Sequence, residues 1–270
     1  MNCFTSRLRT GLLAATLLAG TWGTSPALAK TLRLGNQGDF MSMDPHSLQE
    51  SFQLGVLGNI YEALVSRNRK FELEPGLATA WRALDATTWR FELRRNVKFS
   101  DGAPFSADDV IYTLERTRSE SSDTKLYVGQ IKDIRKVDAH TIDIVTVAPY
   151  PILPGVLAGW MIMNKAWSEK NNALVPADVR KGGQNFATMN ANGTGPFMLK
   201  SRQPDTRTVL VPNPLWWNKP EHNLTEVVFQ PISNDATRLA ALVSGEIDMM
   251  EPVALQDVDK LRANPGLKIV

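Results

Sequence analysis

The chain has 270 residues, with 30 basic and 28 acidic side chains, three histidines and a single cysteine, Cys3. Arg7 and Arg9 account for the net charge of +2, so everything from Lys30 onward is balanced, and nothing in it suggests an electrostatic nucleic-acid or membrane surface. With Cys3 alone, disulfides and thiolate chemistry are excluded from the rest of the chain, which must stabilise itself through its core.

Residues 1–29 have the parts of a cleaved secretory leader: Arg7 and Arg9, an apolar stretch from Leu12 to Ala19, and Ala27-Leu28-Ala29 as the cleavage site. The apolar stretch is shorter than the ~20 residues a membrane span needs and breaks at Gly20, Thr21 and Gly23. A periplasmic, secreted chain is therefore predicted.

Thr31 to Gly35 alternates Leu32 and Leu34 with Arg33, predicting a first strand. Gly38-Asp39 and Asp44-Pro45 mark a loop, and Leu54, Leu57, Ile60, Tyr61 and Leu64 recur at helical spacing. Val65 to Trp81 reads as a short, turn-rich segment. From Trp89 to Val110 the chain packs an alternating strand (Trp89, Phe91, Leu93), its resumption at Val97 and Phe99, a turn at Asp101-Gly102 suited to positive φ, and a helix start capped by Ser106 with Asp109 three residues on. Arg90, Arg94, Arg95 and Lys98 read as the solvated charged face of that strand.

Thr141 to Val147 is a strand with Ile142, Ile144 and either Val145 or Val147 inward, ended by Ala148-Pro149-Tyr150-Pro151. Asn192 to Pro196 is a tight turn, Phe197–Lys200 and Thr208–Val211 form hairpin strands, and Val227–Gln230 forms another. Ala236, Leu239, Ala240, Leu242 and Val243 make a helix stripe stopped by Gly245. A strand-like Ile247–Met250, a helix from Leu255 to about Arg262 and an apolar strand Leu267–Val270 complete the chain. An apolar strand at the last residue reads as a fragment, because its pairing needs further chain.

Taken in order, these motifs resemble the extracellular solute-binding proteins of the peptide/nickel class, family 5, the receptors of ABC importers. The resemblance rests on Ser42-Met43-Asp44-Pro45, Gly76-Leu77-Ala78 with Trp81, the block FELRRNVKFSDGAPFSADDV, Gly193-Thr194-Gly195-Pro196-Phe197, Asn213-Pro214-Leu215-Trp216-Trp217 and Ser244-Gly245-Glu246-Ile247-Asp248. It implies an α/β fold of the periplasmic-binding-protein type II. Residues 30–61 and 165–270 would form a discontinuous, incomplete first lobe, 62–164 an inserted small α/β domain, and the second lobe would be missing. It implies a monomeric receptor that closes around a peptide or another small solute and delivers it to ABC permease subunits, without enzymatic activity or cofactor. The same scaffold also serves opines, oligosaccharides and metal chelates.

The residues themselves give no catalytic constellation. His46, His140 and His222 are far apart in sequence and lack metal-ligand spacing. Gly193-Thr194-Gly195 lacks the Lys-Ser/Thr of a phosphate loop, and Asp108-Asp109 are explained by the helix dipole. A secreted hydrolase is thus the weaker reading. For binding, the loop from Gly38 through His46 to Phe52 is the first candidate. The resemblance puts Gln49, Glu50 and Ser51 along the cleft with Phe52 adjacent, although Gln49 and Glu50 equally suit a helix start. Met250 and Glu251, at the end of the strand after Ser244-Gly245-Glu246, are the second candidate, with core filling as the alternative for the methionine. Tyr127 would reach the ligand from the side. Trp160, Met161, Trp216 and Trp217 read as packing residues.

Overall fold

The structure, a computed structural model, describes residues 30–270. The predicted leader, residues 1–29, lies outside the described residues. In chain order the strands are β1 (Lys30–Asn36), β2 (Val65–Arg67), β3 (Leu73–Pro75), β4 (Ala78–Ala83), β5 (Thr88–Leu93), β6 (Ile131–Asp138), β7 (Thr141–Thr146), β8 (Phe197–Gln203), β9 (Arg207–Pro212), β10 (Leu224–Pro231) and β11 (Met249–Glu251). The helices are α1 (Ser51–Leu57), α2 (Ala107–Arg118), α3 (Leu153–Leu157), α4 (Lys165–Lys170), α5 (Phe186–Met189), α6 (Asp235–Ser244) and α7 (Val258–Arg262).

Two larger sheets organise the chain. One has the order β11-β1-β10-β9-β8, with β1 parallel to both β10 and β11 and an antiparallel meander beyond. Alternation sets its faces: Leu34 of β1 and Val227 and Phe229 of β10 bury against α1, and Gly35 of β1 backs onto Ile247 and Arg238 on the α6 side. The other sheet, β4-β5-β7-β6, is antiparallel and packs Phe91, Ile142 and Ile144 against Val110 and Leu114 of α2. A two-stranded ribbon, β2-β3, stands beside it.

The Trp89–Val110 block folds largely as its pattern demands. Phe91 and Leu93 are buried, Gly102 sits at φ 92, and Ser106 and Asp109 form a reciprocal capping box on α2. Val97 and Phe99 are buried but leave the ladder, keeping one isolated bridge, Lys98 to Pro104. The basic strand face is not simply solvated charge. Arg90 makes a two-pronged pair with Asp143 (2.7 and 2.8 Å), and the Arg94 guanidinium stacks 3.7 Å over Trp217. Burial at the end of β7 falls on Val145, while Val147 is exposed.

Other expectations are corrected. The helix read through Leu64 stops at Leu57, and Ile60, Tyr61 and Leu64 are buried from a turn and an extended segment. The turn-rich stretch before Trp81 contains β2, β3 and the start of β4, whose short paired runs show no long alternation. On α6 the inward face is Arg238, Leu239, Ala241 and Leu242; Ala236, Ala240 and Val243 are exposed, because a buried arginine shifts the stripe. Leu267–Val270 pairs with no strand: the segment is irregular and Val270 is exposed.

Candidate functional site

Parallel strands in α/β sheets present ligands with the crevice at their carboxyl ends. Here those ends are Asn36 of β1, Pro231 of β10 and Glu251 of β11. They are held level by hydrogen bonds from Ile232 N to Asn36 O (2.7 Å) and from Gln37 N to Glu251 O (3.1 Å). Arg238, fully buried, secures the edge from behind. Its guanidinium donates to the carbonyls of Ile232 (2.6 Å) and Pro252 (3.1 Å) and pairs with Asp235 (2.5 Å).

A cavity of about 400 Å³ lies between α1 and the face of the sheet and meets this edge at Glu251. Its walls are apolar, with Leu32 and Leu34 of β1, Val227 and Phe229 of β10 and Phe52 and Val56 of α1. Ser51 and Glu251 stand among its lining residues. Phe52 is fixed by stacking on Phe40 (5.0 Å, 7° between planes) and by an edge contact with Phe229. The predicted residues Ser51, Phe52 and Glu251 therefore border one cavity. Glu50 is exposed and acts as the N-cap of α1, its carboxylate accepting from Phe52 N (3.0 Å) and Gln53 N (2.8 Å). Gln49 is tied through its backbone, N donating to Asp123 Oδ2 at 2.8 Å.

Met250 and Tyr127 are not brought to that cavity. Met250 is buried with Leu239, Ile247 and Leu261, so its side chain fills the core between α6 and α7. Tyr127 packs in the core of the other sheet, with its ring against Gly159, and burial raises its hydroxyl pKa. Trp160 is buried there too, and its Nε1 donates to Thr117.

The loop between β1 and α1 is more deeply set than its composition suggests: every residue from Ser42 to Leu48 is buried. Gln53 Oε1 accepts from Met41 N and Ser42 N, and Asp44 Oδ1 accepts from His46 N. Asp44 is wholly buried against Arg116 of α2, which donates to its two oxygens at 2.9 and 2.5 Å. Desolvation is the largest single influence and would raise the Asp44 pKa, but the charge and hydrogen bonds of Arg116 together with the contacts of His46 outweigh it and hold the carboxyl below its ordinary value. His46 accepts from Arg116 at Nδ1 and donates from Nε2 to Met161 O (2.9 Å each), which fixes the neutral tautomer. Burial, reinforced by Arg116, pushes its pKa down to about 4.

Sequence reasoning missed the charges that hold the site. Arg116 carried a signal, because Asp109, Tyr112, Thr113 and Arg116 repeat at helical spacing and are all buried, giving α2 a second, polar buried face. Glu62 is the other hub. It accepts from Thr194 Oγ1 (2.7 Å) and from the indoles of Trp216 and Trp217, and burial raises its pKa. Among the described residues no cluster of histidine, cysteine, aspartate and glutamate is placed to hold a metal ion.

An α/β lobe with its crevice edge at parallel strand ends, joined to a second small sheet, is the architecture of periplasmic binding proteins. The family described as "Bacterial extracellular solute-binding proteins, family 5 Middle" matches residues 72–270, and the chain belongs to it. Members of this family are binding proteins of transport systems rather than enzymes. The chain is similar to the periplasmic murein peptide-binding protein MppA of Escherichia coli, 29% identical over 233 residues, 78% of this chain and 41% of that protein. It is also similar to DppA of Helicobacter pylori in complex with the peptide STSA (TM-score 0.77, 28% identity, 88% of this chain and 49% of that one). A third relative is MoaA from A. tumefaciens R10 in complex with mannopinic acid (TM-score 0.75, 26% identity, 88% and 48% of the two chains). The chain spans about half the length of the curated relatives it matches.

Proposed function

We propose that this chain forms one wall of a periplasmic solute receptor that closes over a peptide-like ligand and delivers it to ABC permease subunits. Residues 30–61 and 165–270 form the first lobe, 62–164 form an inserted domain, and residues 1–29 are removed on export. The receptor works as a monomer. The observation that carries this reading is the convergence of Ser51, Phe52 and Glu251 on one apolar cavity between α1 and the face of the sheet, which reaches the carboxyl edge at Glu251. The extended backbone of Glu50, just ahead of α1, suits main-chain pairing with a peptide, the cavity suits an apolar side chain, and Glu50 and Glu251 suit a cationic group. Met250 supports Glu251 from the core, and Tyr127 contributes to the ligand only through the domain it packs.

The likeness to MoaA bound to mannopinic acid favours an opine as the second reading. Incubation with a peptide mixture and with opines, followed by native mass spectrometry, separates the two. Retained intact peptide supports the proposal, retained opine replaces it with the second reading, and cleaved peptide would sink both. Glu251→Gln and Ser51→Ala should weaken retention of the bound species about tenfold each, the size of one charge-assisted or buried hydrogen bond. Unchanged retention in both variants removes this cavity from the site.

A further inference from the structure

The turn joining β2 to β3 is firmly built and presents a side chain that the fold does not use. Asn68 organises it: Oδ1 accepts from Lys70 N (2.8 Å) and Glu72 N (3.1 Å), and Nδ2 donates to Glu72 Oε2 (2.8 Å). Arg67 braces it from below, donating to Phe71 O (2.8 Å) and to Gly155 O of α3 (3.2 Å). The product of this bracing is Phe71 at φ 63 and 78% exposed. A left-handed conformation is unfavourable for a phenylalanine, and an exposed ring gains nothing from burial on folding. Glycine or asparagine is the residue such a turn selects. Arg69 and Lys70 precede Phe71 on the same turn and enter none of the ion pairs among the described residues.

We propose that this tip is an interfacial anchor for an anionic lipid surface, with Phe71 entering the headgroup boundary and Arg69 and Lys70 pairing with lipid phosphates. The inference goes beyond the solute-receptor reading and does not depend on it. Balanced net charge does not oppose it, because attraction to a charged surface falls off within a Debye length and is set by the groups nearest that surface. Shape selects lipid over protein. A single ring on a convex turn covers little of the ~800 Å² per partner that a stable protein interface buries, whereas a lipid surface deforms around it. Aromatic rings also settle at the headgroup level, and each nearby basic residue strengthens attachment to an anionic leaflet about fivefold. Binding is weak and reversible, with the ring adding about tenfold.

The test is flotation of the full chain with vesicles of equal phosphatidylglycerol and phosphatidylcholine, beside phosphatidylcholine alone. All variants carry the same residues 1–29, so any contribution of the apolar stretch there cancels. Phe71→Gly suits the left-handed turn, so its melting temperature should match or exceed that of the parent. It should lower partitioning to the anionic vesicles about tenfold. Arg69→Glu with Lys70→Glu should lower it at least ~25-fold, and 0.5 M salt should remove the difference between the two lipid mixtures. The proposal fails if the three proteins partition equally, or if charge reversal releases the chain while Phe71→Gly does not. It fails equally if the tip captures an acidic protein surface without binding vesicles.

Discussion

Replacing Arg116 by methionine tests the joint on which the candidate site rests. The guanidinium makes two bonds to Asp44, one to His46 Nδ1 and two to Ala173 O at 3.3 Å, all in a fully buried setting. Methionine retains most of the apolar volume and removes the charge, leaving the Asp44 carboxylate unpaired at zero exposure. Breaking a buried pair from one side costs about 3–5 kcal/mol. Urea unfolding followed by tryptophan fluorescence reads this directly: with a slope of about 2–3 kcal/mol per molar, the midpoint should fall by more than ~1 M. The stranded Asp44 can escape by taking a proton. Its folded pKa then lies above its unfolded value, and the deficit of the variant should shrink as pH falls from 7 toward 5. Asp44→Asn in the Arg116→Met background should recover about 2 kcal/mol of the loss, since it removes the stranded charge. A loss below ~1 kcal/mol at pH 7, or strict additivity with Asp44→Asn, would refute the reasoning.

Three further outcomes follow from the same packing. His46 has a folded pKa of about 4, below its unfolded value, so its contribution is complete above pH ~6.5 and declines on acidification. Stability should therefore fall by about 3 kcal/mol between pH 6.5 and 4, and His46→Gln should flatten that slope in denaturant titrations. Below that window Asp44, whose folded pKa is lowered, adds its own loss as it protonates. Gly193→Ala should destabilise by at least ~3 kcal/mol or prevent folding, because its new methyl would lie 1.9 Å from the carbonyl oxygen of Ile60, which is backbone and cannot step aside. Ser106→Ala should lower the thermal midpoint by the equivalent of about 1 kcal/mol, and Ser106→Gly by only a few tenths.

How much was legible in the chain depended on whether a residue's role was local. The capping box at Ser106 and Asp109, the positive φ at Gly102, the hairpin of β8 and β9 and the cap at Gly245 are decided within a few residues, and each is where the pattern put it. β2 and β3 are three residues each, too short to alternate, and exist because Val65 pairs with Pro75 across the turn. The candidate site divided along the same line. Ser51, Phe52 and Glu251 border one cavity, whereas Met250 faces the α6 core because β11 side chains alternate and Glu251 takes the open side. His46 stood in the middle of the preferred loop and is buried, because its partner Arg116 lies 70 residues away on α2 and meets it only in the folded chain.

The buried charges tie several of the family motifs to distant parts of the chain. Asp44 of the first motif meets Arg116, nearly three turns beyond the Ser106 cap of the block that follows. Asp109 of that cap also accepts from Asn164 Nδ2 and Lys165 N, so it holds the start of α4 as well as that of α2. Glu62 gathers Thr194 of the Gly-Thr-Gly turn and both indoles of the Asn-Pro-Leu-Trp-Trp segment, and Arg94 of the block lies over the second indole. Several motifs thus supply one side of a polar joint whose other side lies far away in the chain: Asp44 on Arg116, Asp109 on Asn164 and Lys165, and Thr194 with both indoles on Glu62. Apolar packing alone would tolerate slippage between the two sheets, since hydrophobic contact has no direction. A carboxylate that must receive particular donors has one register, and failure to reach it leaves a buried charge unpaired. The same joints fix the loop whose ends present Ser51 and Phe52, so the geometry at the carboxyl edge of β1, β10 and β11 is set by polar contacts that do not themselves face the cavity.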